Sequence, residues 1–308
     1  MSRSDFISFE LQRLNLCKKV NKVKTLSGGC ISQAACYSTD KGDYFIKSNS
    51  NHNASAWFTA EFLALNRINE AVPGFAPKPI HHSTQGQEMS YIVTDYIPMG
   101  NSSKSDAQKE LGRLLSTLHA SSIIEQNHFG FDIPSWCGTT ELDNTWSSNW
   151  AHFWKCQRLE PLLKQVKGQN EDVDRLGNLL CSHIEHWLGE DAIGHVKPSL
   201  LHGDLWYNNW AVYATGSHQP IIFDPASYYG HYEAEFGIMN MFGGFTQDCF
   251  DSYYETLSNQ AASSLEITTS ECKEDRIMIY ESYHHLNHYA MFGGGYGSSF
   301  VNLLENIL

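Results

Sequence analysis

Residues 200–224 constrain this chain more than any other stretch. They contain His202-Gly203-Asp204-Leu205-Trp206-Tyr207-Asn208-Asn209 and end in Phe223-Asp224, with Pro225 next. An apolar strand ending at His202 gives way to an exposed loop that presents Asp204 and, five residues on, Asn209. A second strand follows, and a third ends at Asp224. Two carboxylates and one amide oxygen are therefore expected at the mouths of adjacent short strands. Hard oxygen donors of this kind suit Mg2+, which takes one or two carboxylates and completes its shell with phosphate and water. Phosphoryl transfer needs such a site: a metal that neutralises developing charge, and a carboxylate that orients and deprotonates the attacking hydroxyl. Asp and Asn are also ordinary turn residues. The strand end, the spacing and the downstream Asp224 together favour chemistry over a turn.

The same order, a catalytic Asp, an Asn five residues later and a second Asp after a short hairpin, marks protein kinases. The rest of the chain is compatible with a bilobal α+β fold of that kind, with a small β-rich lobe over residues 1–97 and a larger, mainly helical lobe over 98–308. The first part alternates apolar and polar residues around 34–37, turns at Asp40-Lys41-Gly42-Asp43, and continues in Tyr44-Phe45-Ile46-Lys47, a hairpin pattern. Residues 54–70 predict a helix with Phe58, Phe62, Leu65 and Ile68 on one face, ended by Pro73, Pro77 and Pro79. A strand is expected over 91–94, before Asp95-Tyr96-Ile97-Pro98. Beyond it, Ser105 with Gln108 fits a capping box for a helix through Leu111, Leu114, Leu115, Leu118 and His119. A long amphipathic region follows over 150–188, broken near Gly168. Short strands are expected at 199–202, 210–213 and 220–223, and helices from about Glu235 onward, interrupted by Gly243-Gly244 and Gly293-Gly294-Gly295.

Charge sets a further condition. The formal net charge is −13, a field that repels nucleic acid and also ATP at long range. A nucleotide site must therefore supply its own positive charge, and Lys47 is the candidate. It ends an apolar strand. Glu61 falls on the apolar face of the 54–70 helix, three residues after Phe58 and four before Leu65. A carboxylate on a buried face needs a partner, and a Lys–Glu pair of this kind positions the α- and β-phosphates in kinases. Ahead of the hairpin, Ser27-Gly28-Gly29-Cys30-Ile31-Ser32 could bring backbone N–H groups close to phosphate. It is not a Walker A loop, because no Gly-Lys-Ser/Thr follows. The eight cysteines form no Cys-x-x-Cys pair, which argues against a zinc knuckle. The polar, acid-containing N-terminal residues do not resemble a secretory signal, and no apolar run reaches the roughly 20 residues that a membrane span takes. A cytoplasmic protein with reduced thiols, without nucleic-acid or membrane partners, is the expectation.

At this level of detail the chain resembles the fructosamine kinase, or ketosamine-3-kinase, family within the aminoglycoside-phosphotransferase and choline-kinase branch of the protein-kinase-like fold. The likeness is carried by Ser27-Gly28-Gly29-Cys30-Ile31-Ser32, Tyr44-Phe45-Ile46-Lys47, Phe129-Gly130-Phe131-Asp132, Asn149-Trp150-Ala151-His152-Phe153 and Gln157-Arg158-Leu159. It continues in His202-Gly203-Asp204-Leu205-Trp206, Phe223-Asp224-Pro225-Ala226-Ser227-Tyr228-Tyr229-Gly230-His231, Tyr283-His284-His285-Leu286-Asn287-His288 and Phe292-Gly293-Gly294-Gly295-Tyr296. The resemblance implies ATP- and Mg2+-dependent phosphorylation of ketosamines at the sugar 3-hydroxyl, which destabilises the adduct and regenerates the amine. It implies Asp204 as the base, Asn209 and Asp224 as Mg2+ ligands, and Lys47 with Glu61 as the phosphate-positioning pair. It also implies a hinge at Asp95, Tyr96 and Ile97 that bonds adenine through the backbone. Same-fold alternatives are kinases of aminoglycoside- or choline-like amines; a nucleotide-binding pseudokinase is the non-catalytic alternative.

The chain departs from the family pattern at two positions. Asn208 stands where Gly precedes the metal-binding Asn; Asn tolerates a left-handed backbone better than most residues, so the loop is expected to survive the change. Glu235 stands where an Asp is expected, so its longer side chain alters its hydrogen-bond reach. On the substrate side, Trp206 could stack on the sugar or its amine. His284, His285 and His288 recur at helical spacing, and His288 is the expected substrate contact. Cys30, within the glycine-rich loop, is a candidate for oxidation that blocks nucleotide binding, either in a monomer or by linking a homodimer.

Overall fold

The structure is a computed structural model, and it describes residues 2–26, 32–83, 89–100, 104–121, 128–214, 219–260 and 272–308. Gly28, Gly29 and Cys30 lie outside the described residues.

The chain opens with a helix that its polar composition did not announce. In α1 (Arg3–Arg13) the Ser2 hydroxyl accepts the Asp5 N–H and the Asp5 carboxylate accepts the Ser2 N–H, a reciprocal cap. Ile7 and Leu11 pack from α1 onto Tyr37, Ile46, Tyr91 and Val93 of the first sheet. That sheet comprises β1 (Val20–Leu26), β2 (Gln33–Thr39), β3 (Gly42–Asn49), β4 (Pro79–His82) and β5 (Ser90–Asp95). Its order is β1-β2-β3-β5-β4, and every pairing is antiparallel. The predicted hairpin is β2–β3, closed at Thr39↔Gly42, and its register sets Lys47 opposite Ala34 on one side and Ile92 on the other. Lys47 thus sits in the middle of the sheet.

The helix expected after the hairpin is α2 (Ala54–Ala71). Phe58, Leu65 and Ile68 are fully buried, whereas Phe62 is only partly covered. This apolar face packs into the main core, beside Leu111 and Leu115 of α3 (Lys104–Ser121), not into the smaller cluster under α1. The helix next to the sheet is therefore rooted in the same core as the helical part.

A small hairpin, β6 (Ser135–Cys137) with β7 (Thr140–Leu142), precedes the amphipathic region. That region is α4 (Trp150–Trp154), one π-helical turn (Lys155–Leu159), α5 (Glu160–Val166) and α6 (Glu171–Leu188). The break near Gly168 lies where predicted, and Asn170 caps α6 by accepting from the N–H groups of Asp172 and Val173. The π turn carries the buried Arg158. Its guanidinium donates to Asp143 O and Asn144 Oδ1, both at 2.7 Å, and stacks 4.6 Å from the Phe153 ring and 4.3 Å from that of Tyr228.

After α7 (Glu190–Ile193) come the short strands β8 (Ser199–Leu201), β9 (Trp210–Val212), β10 (Pro220–Ile222) and β11 (Tyr228–Gly230). β9 pairs with β10, and β11, which the periodicity did not reveal, returns to pair with β8. Asp204 follows β8 and Asp224 follows β10, so these two small antiparallel pairs set where the acids stand. The chain closes with α8 (Glu235–Phe242), α9 (Gln247–Gln260), α10 (Lys273–Phe292) and α11 (Tyr296–Glu305). Among the described residues no helix is long and apolar enough to cross a membrane.

Candidate active site

The sheet and the helical part meet at Lys47. Its Nζ lies 2.7 Å from Glu61 Oε1 and 2.5 Å from Asp224 Oδ1, so one ammonium bridges β3, α2 and the loop after β10. Burial works against this charge, but Asp224 and Glu61 together outweigh it and hold the Lys47 pKa above its ordinary value. The local cation that an acidic chain must provide is therefore present and fixed.

Asp224 has φ +60°, in the left-handed region rare for non-glycine residues. Its neighbours hold it there: Phe223 N–H donates to Asn209 O at 3.0 Å, and Phe223 O accepts from His202 Nε2 at 2.9 Å. A carbonyl can only accept, so Nε2 of His202 carries the proton and Nδ1 is free to accept Asp204 N–H, at 3.3 Å. Burial depresses the His202 pKa, which keeps this neutral tautomer in place. His202 is thus a brace between the Asp204 loop and the Asp224 loop.

Gly203 admits no side chain. Its φ is +81°, and a Cβ there would stand 2.3 Å from Ala226 O. The tight crossing lets Ala226 N–H reach His202 O at 2.8 Å. Beneath it, the buried Glu235 accepts His202 N–H at 2.6 Å and Gly203 N–H at 3.0 Å. Burial opposes the Glu235 charge, but His119 and His202 hold its pKa below the ordinary value. The longer side chain therefore reaches both amides, which the sequence left undetermined.

Asp204 and Asn209 stand together. Asn209 Nδ2 donates to Asp204 O at 2.8 Å and to Asp204 Oδ2 at 3.2 Å. Burial, then the charges of Asp224 and Glu235, push the Asp204 pKa well above the usual carboxylate range, against the bonds from Asn209 and the buried Cys137 thiol. Asn208 is exposed and its φ is not positive, so the loop makes no demand on the tolerance of Asn for a left-handed backbone. Nothing in the loop's conformation calls for glycine at that position.

The oxygen donors suit one hard cation. Among the described residues no group of three or more His, Cys, Asp or Glu could hold a metal ion. Asn209 Oδ1 and Asp224 Oδ2 have no hydrogen-bond partner among the described residues, since Asn209 bonds through Nδ2 and Asp224 through Oδ1. An amide and a carboxylate oxygen, with further positions left to phosphate and water, match what Mg2+ accepts.

In the segment expected to form the hinge, Asp95, Tyr96 and Ile97 differ. Asp95 and Tyr96 already use their N–H groups, on Lys78 O at 3.1 Å and Asp43 O at 3.2 Å. The Ile97 N–H has no backbone partner among the described residues. Among the described residues Asp95 O accepts only the Thr94 hydroxyl, at 3.0 Å, and so retains a lone pair. This segment therefore offers an acceptor and a donor two residues apart, and the Tyr96 N–H faces inward to β3.

Trp206 and His288, far apart in sequence, share one aromatic wall through Phe242, whose ring centroid is 5.2 Å from Trp206 and 5.4 Å from His288. His288 Nδ1 donates to His284 O at 2.8 Å, so Nε2 is left as an acceptor; burial lowers its pKa and favours that neutral form. Phe242 was not singled out from the sequence, where it reads as a helix terminus before two glycines. His284, by contrast, is buried.

An antiparallel sheet over a helical body, with a Lys–Glu pair from one part meeting an Asp, Asn and Asp from the other, defines the protein-kinase-like fold. The choline kinase LicA from Streptococcus pneumoniae shares it, with a TM-score of 0.65 at 15% identity over 98% of this chain and 97% of that one. The sequence profile of the fructosamine kinase family matches residues 6–308, and the chain belongs to that family. It is 35% identical to the chloroplastic protein-ribulosamine 3-kinase of Arabidopsis thaliana, over 94% of this chain and 83% of that protein. It is 33% identical to the ketosamine-3-kinase of Mus musculus, over 94% of this chain and 96% of that protein.

Proposed function

We propose that the protein is an ATP-dependent kinase that phosphorylates the 3-hydroxyl of ketosamines. The observation that carries this reading is the single ammonium of Lys47 shared by Glu61 and Asp224, beside the Asp204–Asn209 pair. In it, the adenine lies against Asp95 O and the Ile97 N–H. Lys47, oriented by Glu61, takes the α- and β-phosphates. Asn209 and Asp224 would hold Mg2+, which supplies charge neutralisation between the phosphates. Asp204 accepts the proton of the sugar 3-hydroxyl as its oxygen attacks the γ-phosphorus, and ADP leaves. The raised pKa of Asp204 suits a proton acceptor. Trp206 and His288 hold the sugar and its amine, with His288 Nε2 as an acceptor for a hydroxyl or ammonium. A phosphate leaves carbon far more readily than hydroxide does, so the 3-phosphate is eliminated with loss of a proton from C1, and water hydrolyses the resulting imine to release the amine.

Family membership and the ketosamine and ribulosamine specificities of the two relatives support the choice of substrate. The test is to incubate the purified protein with Mg-ATP and, separately, a fructosamine, a ribulosamine, choline and an aminoglycoside. Phosphorylated sugar-amine by mass spectrometry with the first two substrates alone is the expected result. Product on neither ketosamine overturns the reading.

A further inference from the structure

A ketosamine has two ends: the sugar that reacts beside Asp204, and the substituent on its amine. The catalytic groups account only for the first. From Asp204 an aromatic row leads away along the surface. It starts rigidly, because Trp206 N–H donates to Asp204 O at 3.0 Å. It runs from Trp206 to Phe242 at 5.2 Å, to His288 at 5.4 Å and to Phe292 at 5.8 Å, with Tyr296 5.1 Å from His288. Each step is about one ring. Phe242 and Phe292 are 42% and 68% exposed. Each is the last residue of its helix, and the glycine after it has positive φ (+63° at Gly243, +66° at Gly293), so the helix stops at the ring.

We propose that this row seats the amine substituent and makes the protein select ketosamines whose amine carries an aromatic or bulky apolar group, with Phe292 as the specificity-determining residue. The inference rests on the ketosamine-kinase reading above. The amine nitrogen lies only a few bonds from the reacting hydroxyl, so with the sugar beside Asp204 the nitrogen falls near Trp206 and Phe242. Ring faces attract its ammonium. The substituent then continues toward His288, Phe292 and Tyr296, where offset or edge-to-face ring contacts are favourable. Aromatic area left open on a surface that adjoins a reaction centre is the ordinary form of a ligand platform.

The test compares kcat/KM for two fructosamines, one made from benzylamine and one from glycine, in the full-length protein and in Phe292→Ala and Phe292→Trp. The unsubstituted protein is expected to favour the benzylamine adduct roughly tenfold, mainly through KM. Phe292→Ala is expected to bring the ratio close to one, and Phe292→Trp to preserve it. Phe292 is largely exposed, so its truncation leaves no cavity, and an unchanged Tm verifies folding. Equal kcat/KM for both adducts in the unsubstituted protein, or an undiminished ratio in Phe292→Ala, overturns the inference while leaving the kinase reading intact. Phosphorylation of neither adduct overturns both.

Discussion

Glu235 Oε2 accepts the backbone N–H of His202 at 2.6 Å, while its other oxygen takes Gly203 N–H, so one buried carboxylate holds the loop that leads into Asp204. Replacing it by Gln puts an amide NH2 against one of these donors, and a buried unpaired N–H costs ~1–3 kcal/mol. Glu235→Asp shortens the reach by one methylene and leaves at least one N–H unmet. Both variants are expected to lose stability of about that size in urea denaturation, and kcat is expected to fall more than KM for ATP changes, because the Lys47 site lies on another element. A Glu235→Asp protein with native stability and kcat would show that the longer side chain is immaterial.

Among the described residues Lys47 is the one cation between Glu61 and Asp224, so its loss strips the proposed phosphate site of positive charge and leaves two acids facing each other. Charged hydrogen bonds contribute ~1.5–3 kcal/mol, which corresponds to a loss of roughly 10- to 150-fold in kcat/KM for ATP in Lys47→Met. Glu61→Gln keeps Lys47 on Asp224 and is expected to fall between that variant and the native protein. Initial rates against ATP concentration measure both. Native kcat/KM in Lys47→Met would remove the residue from the nucleotide site.

Asp204→Asn retains size and can still pair with Asn209, but it cannot take a proton. The expected loss in turnover is ~10²–10⁴-fold, the usual contribution of a general base. Nucleotide affinity by calorimetry is expected to change little, since Lys47 and the hinge are untouched. Turnover that survives the substitution would assign proton transfer elsewhere.

The polar pairings of this site were legible where local pattern places a group on a defined face. Lys47 follows the apolar run Tyr44-Phe45-Ile46 and Glu61 shares a helix face with Phe58 and Leu65, so their meeting at 2.7 Å follows from periodicity and the cost of a buried charge. What periodicity cannot show is which distant strand returns. β11 is three residues long and pairs with β8 across the Asp224 loop. The π turn under Arg158 is similarly silent, because one helical turn wound wider leaves no mark on residue spacing. The left-handed non-glycine residue in the site is Asp224, whereas Asn208, a residue type that tolerates that conformation, is not left-handed. The backbone of Asp224 is set by bonds through Phe223 to His202 and Asn209, which only the assembled fold supplies.

His231 and His284 predict how the fold responds to acid. Tyr280 OH accepts from Trp150 Nε1 at 2.9 Å and hydrogen-bonds His231 Nδ1 at 2.8 Å. Burial lowers the His231 pKa to about 4; Glu233, whose Oε2 is 4.0 Å from Nε2, opposes this, and Arg276 and His119 add to it. Burial lowers His284 to about 3, aided by His288, His285 and Arg158. A histidine with a depressed folded pKa stabilises fully above its unfolded value of ~6.5, and that contribution is lost as pH falls toward the folded pKa, because the unfolded chain binds the proton first. Each ring is expected to withdraw ~1.4 kcal/mol per pH unit below about 6.5. Urea unfolding at pH 7, 6 and 5 should therefore show steadily falling stability, with a shallower slope in His231→Gln even though that variant is weaker at pH 7. Stability that stays level from pH 7 to 5 would mean that neither ring is held neutral in the fold.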